Sequence, residues 1–165
     1  RFILRVPITV AVVDTFCIEA AGTPYLIPVA MVEEFVEVHG RDVVLTPSTK
    51  STGLTVAVLQ RRGLSLPLVG LDMALRRFRA EVGSSREPGK FTKAVVVRRG
   101  NRPFAFGVDR LLGHHEVVVR PLVDPLVQVP GISGSTDLGT GEPTLVLDLV
   151  ALSQRCESEL LGRAA

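Results

Sequence analysis

Two stretches of the chain read as variants of one hairpin, and that repetition constrains the fold more than any other feature. An apolar run from Phe16 to Ala21 passes through Gly22-Thr23-Pro24 into Tyr25-Leu26-Ile27-Pro28-Val29. A second run, Ala94 to Val97, passes through Gly100-Asn101-Arg102-Pro103 into Phe104-Ala105-Phe106-Gly107-Val108, with one extra turn residue and an offset of 79 positions between Pro24 and Pro103. Pro67-Leu68-Val69-Gly70-Leu71 and Leu145-Val146-Leu147-Asp148-Leu149 repeat at an offset of 78. Strand, short turn, strand is a hairpin pattern, and internal repeats decide architecture. Each half is expected to form a small barrel of about five short strands. A module of that size draws only about 3–5 kcal/mol from its own core, so the two halves are expected to pack together as one folding unit.

The rest of the chain agrees with an all-β reading. Its 26 valines are interrupted by 15 glycines and 11 prolines, the pattern of many short strands bounded by turns. Leu54–Leu59 and Leu64–Leu71 around Arg61-Arg62-Gly63 form another hairpin candidate, and Met31–Val38 reads as one helical turn passing into a strand. Val117-Val118-Val119 and Thr144–Val150 are further strands, with a Gly-rich loop from Gly131 to Gly141. Leu71, Leu75, Phe78 and Val82 share one face of a short amphipathic helix. Gly83–Lys90 is the most linker-like segment, and a tail helix is expected over residues 153–165.

Composition narrows the function. With 46% hydrophobic residues the chain is not disordered, and no apolar run approaches the roughly 18 residues of a membrane span. A net charge of +2, seven Phe, one Tyr and no Trp supply neither the basic excess nor the stacking platforms of a nucleic-acid binder. Cys17 and Cys156 lie far apart in unlike contexts and are expected to be reduced structural thiols. The chain opens on Arg1 with no signal-peptide pattern and is expected to be a fragment of a longer protein.

Chemistry-bearing clusters are weak. In His114-His115-Glu116 the neighbouring His residues point to opposite faces of a strand, and no third metal ligand is near. Gly131–Gly141 looks like a phosphate cradle but lacks the Gly-Lys-Ser/Thr ending, and Ser135 stands where a nucleophile elbow requires Gly. Glu33 and Glu34 are consecutive and diverge, which does not suit shared acid–base work. The Arg doublets at 61–62, 76–77 and 98–99 suit solvated edges.

Longer phrases carry a family resemblance. Phe106-Gly107-Val108-Asp109-Arg110-Leu111-Leu112-Gly113-His114-His115-Glu116-Val117-Val118-Val119-Arg120-Pro121-Leu122, then Val129-Pro130-Gly131-Ile132-Ser133-Gly134, then Thr144–Val150, together resemble the CheW-like domain. That domain is found in CheW-type adaptors and at the C-terminus of CheA-type chemotaxis histidine kinases. Tyr25–Val29 leading to Val32-Glu33-Glu34, and Arg62-Gly63 ahead of Leu66–Val69, agree, so the resemblance covers about Asp14 to Leu152. Phe2–Ala11 resembles the segment joining a kinase's ATP-binding domain to its regulatory domain.

The resemblance implies two intertwined SH3-like five-stranded β-barrels with short helices. Residues 1–13 would be the last strand of a preceding domain and a linker, residues 14–152 the regulatory domain with its second barrel at roughly 91–145, and residues 153–165 the tail. It implies a non-catalytic coupling module that binds a CheW-type adaptor, chemoreceptor cytoplasmic tips and the rest of the kinase chain. It needs no cofactor of its own, since ATP and Mg belong to a separate domain of the parent. The protein would be cytoplasmic and recruited to receptor arrays at the inner face of the membrane. Val32, Glu33, Phe35, Arg62 and Leu68, then His114, Glu116 and Val117, are the partner-contact candidates. A stand-alone adaptor is the first alternative. A ligand- or metal-binding enzyme domain using Gly131–Gly141 or His114–Glu116 is the remote one.

Overall fold

A computed structural model of the chain describes residues 12–47, 55–79, 91–122, 129–139, 141 and 143–161. Among them eleven strands and two helices follow in order: β1 Val12–Ala20, β2 Thr23–Pro28, β3 Val32–Glu37, β4 Val43–Pro47, β5 Thr55–Arg61, β6 Leu64–Gly70, α1 Leu71–Arg79, β7 Lys93–Arg99, β8 Arg102–Val108, β9 Arg110–Val118, β10 Ile132–Asp137, β11 Pro143–Leu147 and α2 Leu149–Leu161. The architecture is all-β with two sheets and few helices, as the repeat implied. The linker-like Gly83–Lys90 lies outside the described residues.

One sheet runs β10-β11-β2-β1-β9 and the other β3-β7-β8-β6-β5-β4. Read in repeat positions, β5-β6-β8-β7-β3 is the same arrangement as β10-β11-β2-β1-β9, and β4 is one strand more than the five expected. In the first sheet Arg120 supplies the counterpart of β4, exchanging backbone hydrogen bonds of 2.8 and 2.9 Å with Ser135. The parallel pairings agree residue by residue. Leu26 faces Val146 and, at offsets of 79 and 78, Ala105 faces Leu68. Both third strands carry a bulge at the same place, Glu33 in β3 and Leu112 in β9.

The sequence halves do not close separate barrels, and no boundary near residue 91 divides them. β7 and β8 lie beside β3–β6, while β1 and β2 lie beside β9–β11. Connection length explains the crossing from β8 to β9. Only Asp109 separates β8 from β9, and the three-residue 3-10 turn Val29–Met31 separates β2 from β3. A two-residue loop is the shortest common hairpin connection, so β9 continues past β8 into the other sheet. Asp109 fixes this crossing: its N–H donates to the Glu19 carbonyl at 2.9 Å and its Oδ2 accepts from Ala21 N–H at 2.8 Å.

Period-two geometry then explains why these strands read as unbroken apolar runs. In β7, Ala94 and Val96 enter the barrel interior with Leu59, Leu66, Leu68 and Ala105. Val95 and Val97 face the seam between the sheets, packed with Ile18, Ile27, Phe104, Phe106 and Val108. Leu71, Ala74 and Leu75 of α1, and Leu149, Leu152 and Cys156 of α2, complete the seam core. Cys17, Leu26, Val117 and Val146 fill the other barrel.

Three local expectations need correction. Gly131–Gly141 is not all loop, because Ile132–Asp137 pairs with β11 as β10. Gly134 fits there because a Cβ would come within 2.6 Å of the Arg120 carbonyl oxygen and the Val119 side chain. The tail helix starts at Leu149 rather than 153: Asp148 Oδ1 accepts the Ala151 N–H at 2.9 Å and caps it. β1 starts at Val12, ahead of the expected boundary at Asp14, because Val12 and Val13 pair with Val118 and Val117.

Candidate protein-docking surface

The sequence-predicted contacts separate into an exposed group and a buried one. β5 and β6 join through Arg62 (φ +48°) and Gly63 (φ +76°), a two-residue turn with both residues left-handed. That turn throws Arg62 outward, its side chain 73% exposed, with one contact of 3.4 Å to Glu34 Oε2. Arg61 reaches the same oxygen at 3.4 Å. Glu33 is held bidentately by Arg98, at 2.8 Å to Nε and 2.7 Å to Nη2. These hydrogen bonds hold its carboxyl below the ordinary carboxylate range. Glu33, Glu34, Arg61, Arg62, Arg98, Leu64 and Pro103 thus rim one shallow recess at the mouth of the six-stranded barrel.

A second face lies where β1 meets β9. Phe16 packs edge-on against Phe35, ring centroids 4.9 Å apart, and against His114 at 5.8 Å. His114 Nε2 stands 3.9 Å from Asp14, which faces Glu116 across the ladder. Beyond them Val12 and Val118 are paired and exposed, and Leu111 and Leu112 lie exposed near the other end of β9. Phe35, His114 and Glu116 are therefore brought together through Phe16 and Asp14. Val32 packs partly buried against the seam core.

Leu68 and Val117 are not surface residues. They are 3% and 6% exposed and lie inside the two barrels, because strand alternation turns them inward. Sequence reasoning also missed Phe16, Asp14, Arg61 and Arg98. For Arg98 a signal existed: it stands 79 positions after Glu19, itself ion-paired at 2.8 Å with Arg110. Phe16 and Asp14 reveal their role only through pairing with β9.

The features behind the remote enzyme reading meet in part, since β9 and β10 border one open recess. His115 and Glu116 line that recess with Arg120, Thr136 and Asp137, while the His114 ring packs against Phe16. Among the described residues no group of three His, Cys, Asp or Glu is placed to hold a metal ion. No helix among them is long and apolar enough to cross a membrane. Cys17 and Cys156 are buried in different clusters, and burial raises the Cys17 thiol pKa.

A duplicated double barrel whose exposed ion pairs and apolar strand faces lie at its edges defines a protein-docking module. Comparison with known proteins gives the same class. The sequence matches the CheW-like domain over residues 14–157, and the chain belongs to that family. It is 30% identical over 151 residues to the chemotaxis protein CheA of Bacillus subtilis, covering 92% of this chain and 21% of that protein. It is 32% identical over 162 residues to CheA of Klebsiella aerogenes, covering 98% and 23%. The chain thus spans about a fifth of these relatives' length. The crystal structure of the scaffolding protein TtCheW from Thermoanaerobacter tengcongensis shares the fold, with TM-score 0.60 and 13% identity over 84% of this chain and 90% of that one. Membership makes this a non-catalytic module of chemotaxis signalling.

Proposed function

We propose that the chain is the regulatory domain of a CheA-type histidine kinase, coupling receptor state to kinase activity from the cytoplasmic side of receptor arrays. The observation that carries this reading is the similarity to CheA proteins along 92–98% of the chain. The segment before β1 would then join it to an ATP- and Mg-dependent domain of the parent. The likeness to a CheW scaffold over 90% of that protein favours the second reading, a stand-alone adaptor.

In either case the partners are a second CheW-like domain and a helical receptor tip, held without bond-making. A standard interface buries about 800 Å² per partner, and a few anchors dominate its energy. Arg62 and Glu33 supply charge at the barrel mouth, and Val32 packs against the seam core. Phe35, His114 and Glu116 supply a mixed face at the seam. Signalling is then a coupling free energy of about 1–3 kcal/mol between the receptor-bound state and the kinase arrangement.

Arg62→Glu tests this directly. Because the Arg62 side chain is 73% exposed and its contact with Glu34 is a long 3.4 Å, the melting temperature should move by no more than about 2 °C. Capture by a CheW-type adaptor or a receptor tip should weaken about tenfold. Unchanged capture removes Arg62 from the surface.

A further inference from the structure

The two bidentate ion pairs at the crossing strands carry opposite polarity in the two repeats. β1 offers Glu19 to Arg110 of β9, with Oε1 and Oε2 accepting at 3.0 and 2.8 Å from Nη2. β7 offers Arg98, the residue 79 positions later, to Glu33 of β3. We propose that this reversed polarity is a pairing code that keeps the two halves of one chain together and rejects a second copy of the chain.

Because β3 and β9 each leave their own half to pair with the other, a first half could equally receive β3 from the first half of another molecule. The apolar positions hardly oppose this, since Ile18 corresponds to Val97 and Val32 to Leu111 at the 79-residue offset. Charge opposes it. In such a homotypic pairing Glu19 takes the place of Arg98 and meets Glu33, while between two second halves Arg98 takes the place of Glu19 and meets Arg110. Like charges facing each other across strands are destabilising, and unlike ones favourable. The other charged positions cancel. Lys93 pairs with Glu37 at 3.5 Å while Asp14 faces Glu116. Exchanging partners again gives one attractive and one repulsive pair.

The 165-residue chain allows a test that keeps an attraction at both bidentate pairs. Glu33→Arg with Arg98→Glu preserves both native attractions but makes both homotypic pairings attractive. Glu19→Arg with Arg110→Glu does the same from the other sheet. All four changes together restore repulsion in the homotypic pairings. Val12 faces Val118, and His39 stands 79 positions before Val118, so Val12→Cys with His39→Cys reports homotypic pairing as a covalent dimer on non-reducing gels. After refolding at equal protein concentration, each double reversal should raise the cross-linked dimer about tenfold over the parent. The fourfold variant should return it to the parent level, with matching masses from light scattering. A dimer share unchanged by both double reversals, or raised and not restored by the fourfold variant, overturns the proposal.

Discussion

Arg98 shows how much one side chain decides at the surface. Its paired hydrogen bonds to Glu33 lie on side chains 42% and 36% exposed, so solvent and salt screen them and the energy is small. Its sign is definite. A carboxyl whose folded pKa is depressed stabilises the fold above its unfolded value, about 4.3, and loses that stabilisation as pH falls through the folded value. At low salt, acidification from pH 6 to 3 should therefore lower the melting temperature of the unaltered chain more than that of Glu33→Gln. The gap should shrink in about 1 M salt. Equal slopes would show that the pair contributes nothing to the fold.

At the scale of elements, the parallel contact between β6 and β8 depends on two facing glycines. Gly70 and Gly107 are register partners, and the Phe91 ring covers both. A Cβ on Gly107 would lie 2.3 Å from that ring, and one on Gly70 would lie 2.5 Å from it. Gly107→Val should accordingly destabilise the protein by about 2–4 kcal/mol, because a buried ring must move from a well-packed site. Adding Phe91→Ala should cost less than its effect alone, a non-additivity readable in chemical unfolding. Strict additivity would place the strain elsewhere. Helix α2 shows the same dependence. It begins where Asp148 caps it, and Leu152 fills the space beside Gly131, whose φ of +95° an L side chain rarely adopts.

For the whole molecule, interchange of strands means that neither half contains a complete barrel. Each half would leave sheet edges unpaired and its seam residues exposed, and an incomplete core of that size does not offset the entropy of ordering. Separately produced chains of residues 1–85 and 86–165 should each lack a cooperative thermal transition. Mixed one to one, they should regain the strand signal and a single transition in circular dichroism. A half that melts cooperatively alone would refute obligatory interchange.

Much of the fold was legible before the structure, and the residues show why. Gly22-Thr23-Pro24 and Gly100-Asn101-Arg102-Pro103 are local turn chemistry, and the offsets of 79 and 78 predicted which residues would take equivalent places. Arg62 beside Gly63 was likewise legible as an exposed turn. Leu68 and Val117 were not, because the strands that bear them alternate between two buried environments, barrel interior and seam. Turn positions and family membership are local properties that an amino-acid string carries on its face. Which half supplies each strand, and which side chains therefore reach the surface, depends on contacts between residues about eighty positions apart. Only the folded chain decides these, because strand-pairing partners are chosen by packing and charge across the seam rather than by neighbours in sequence.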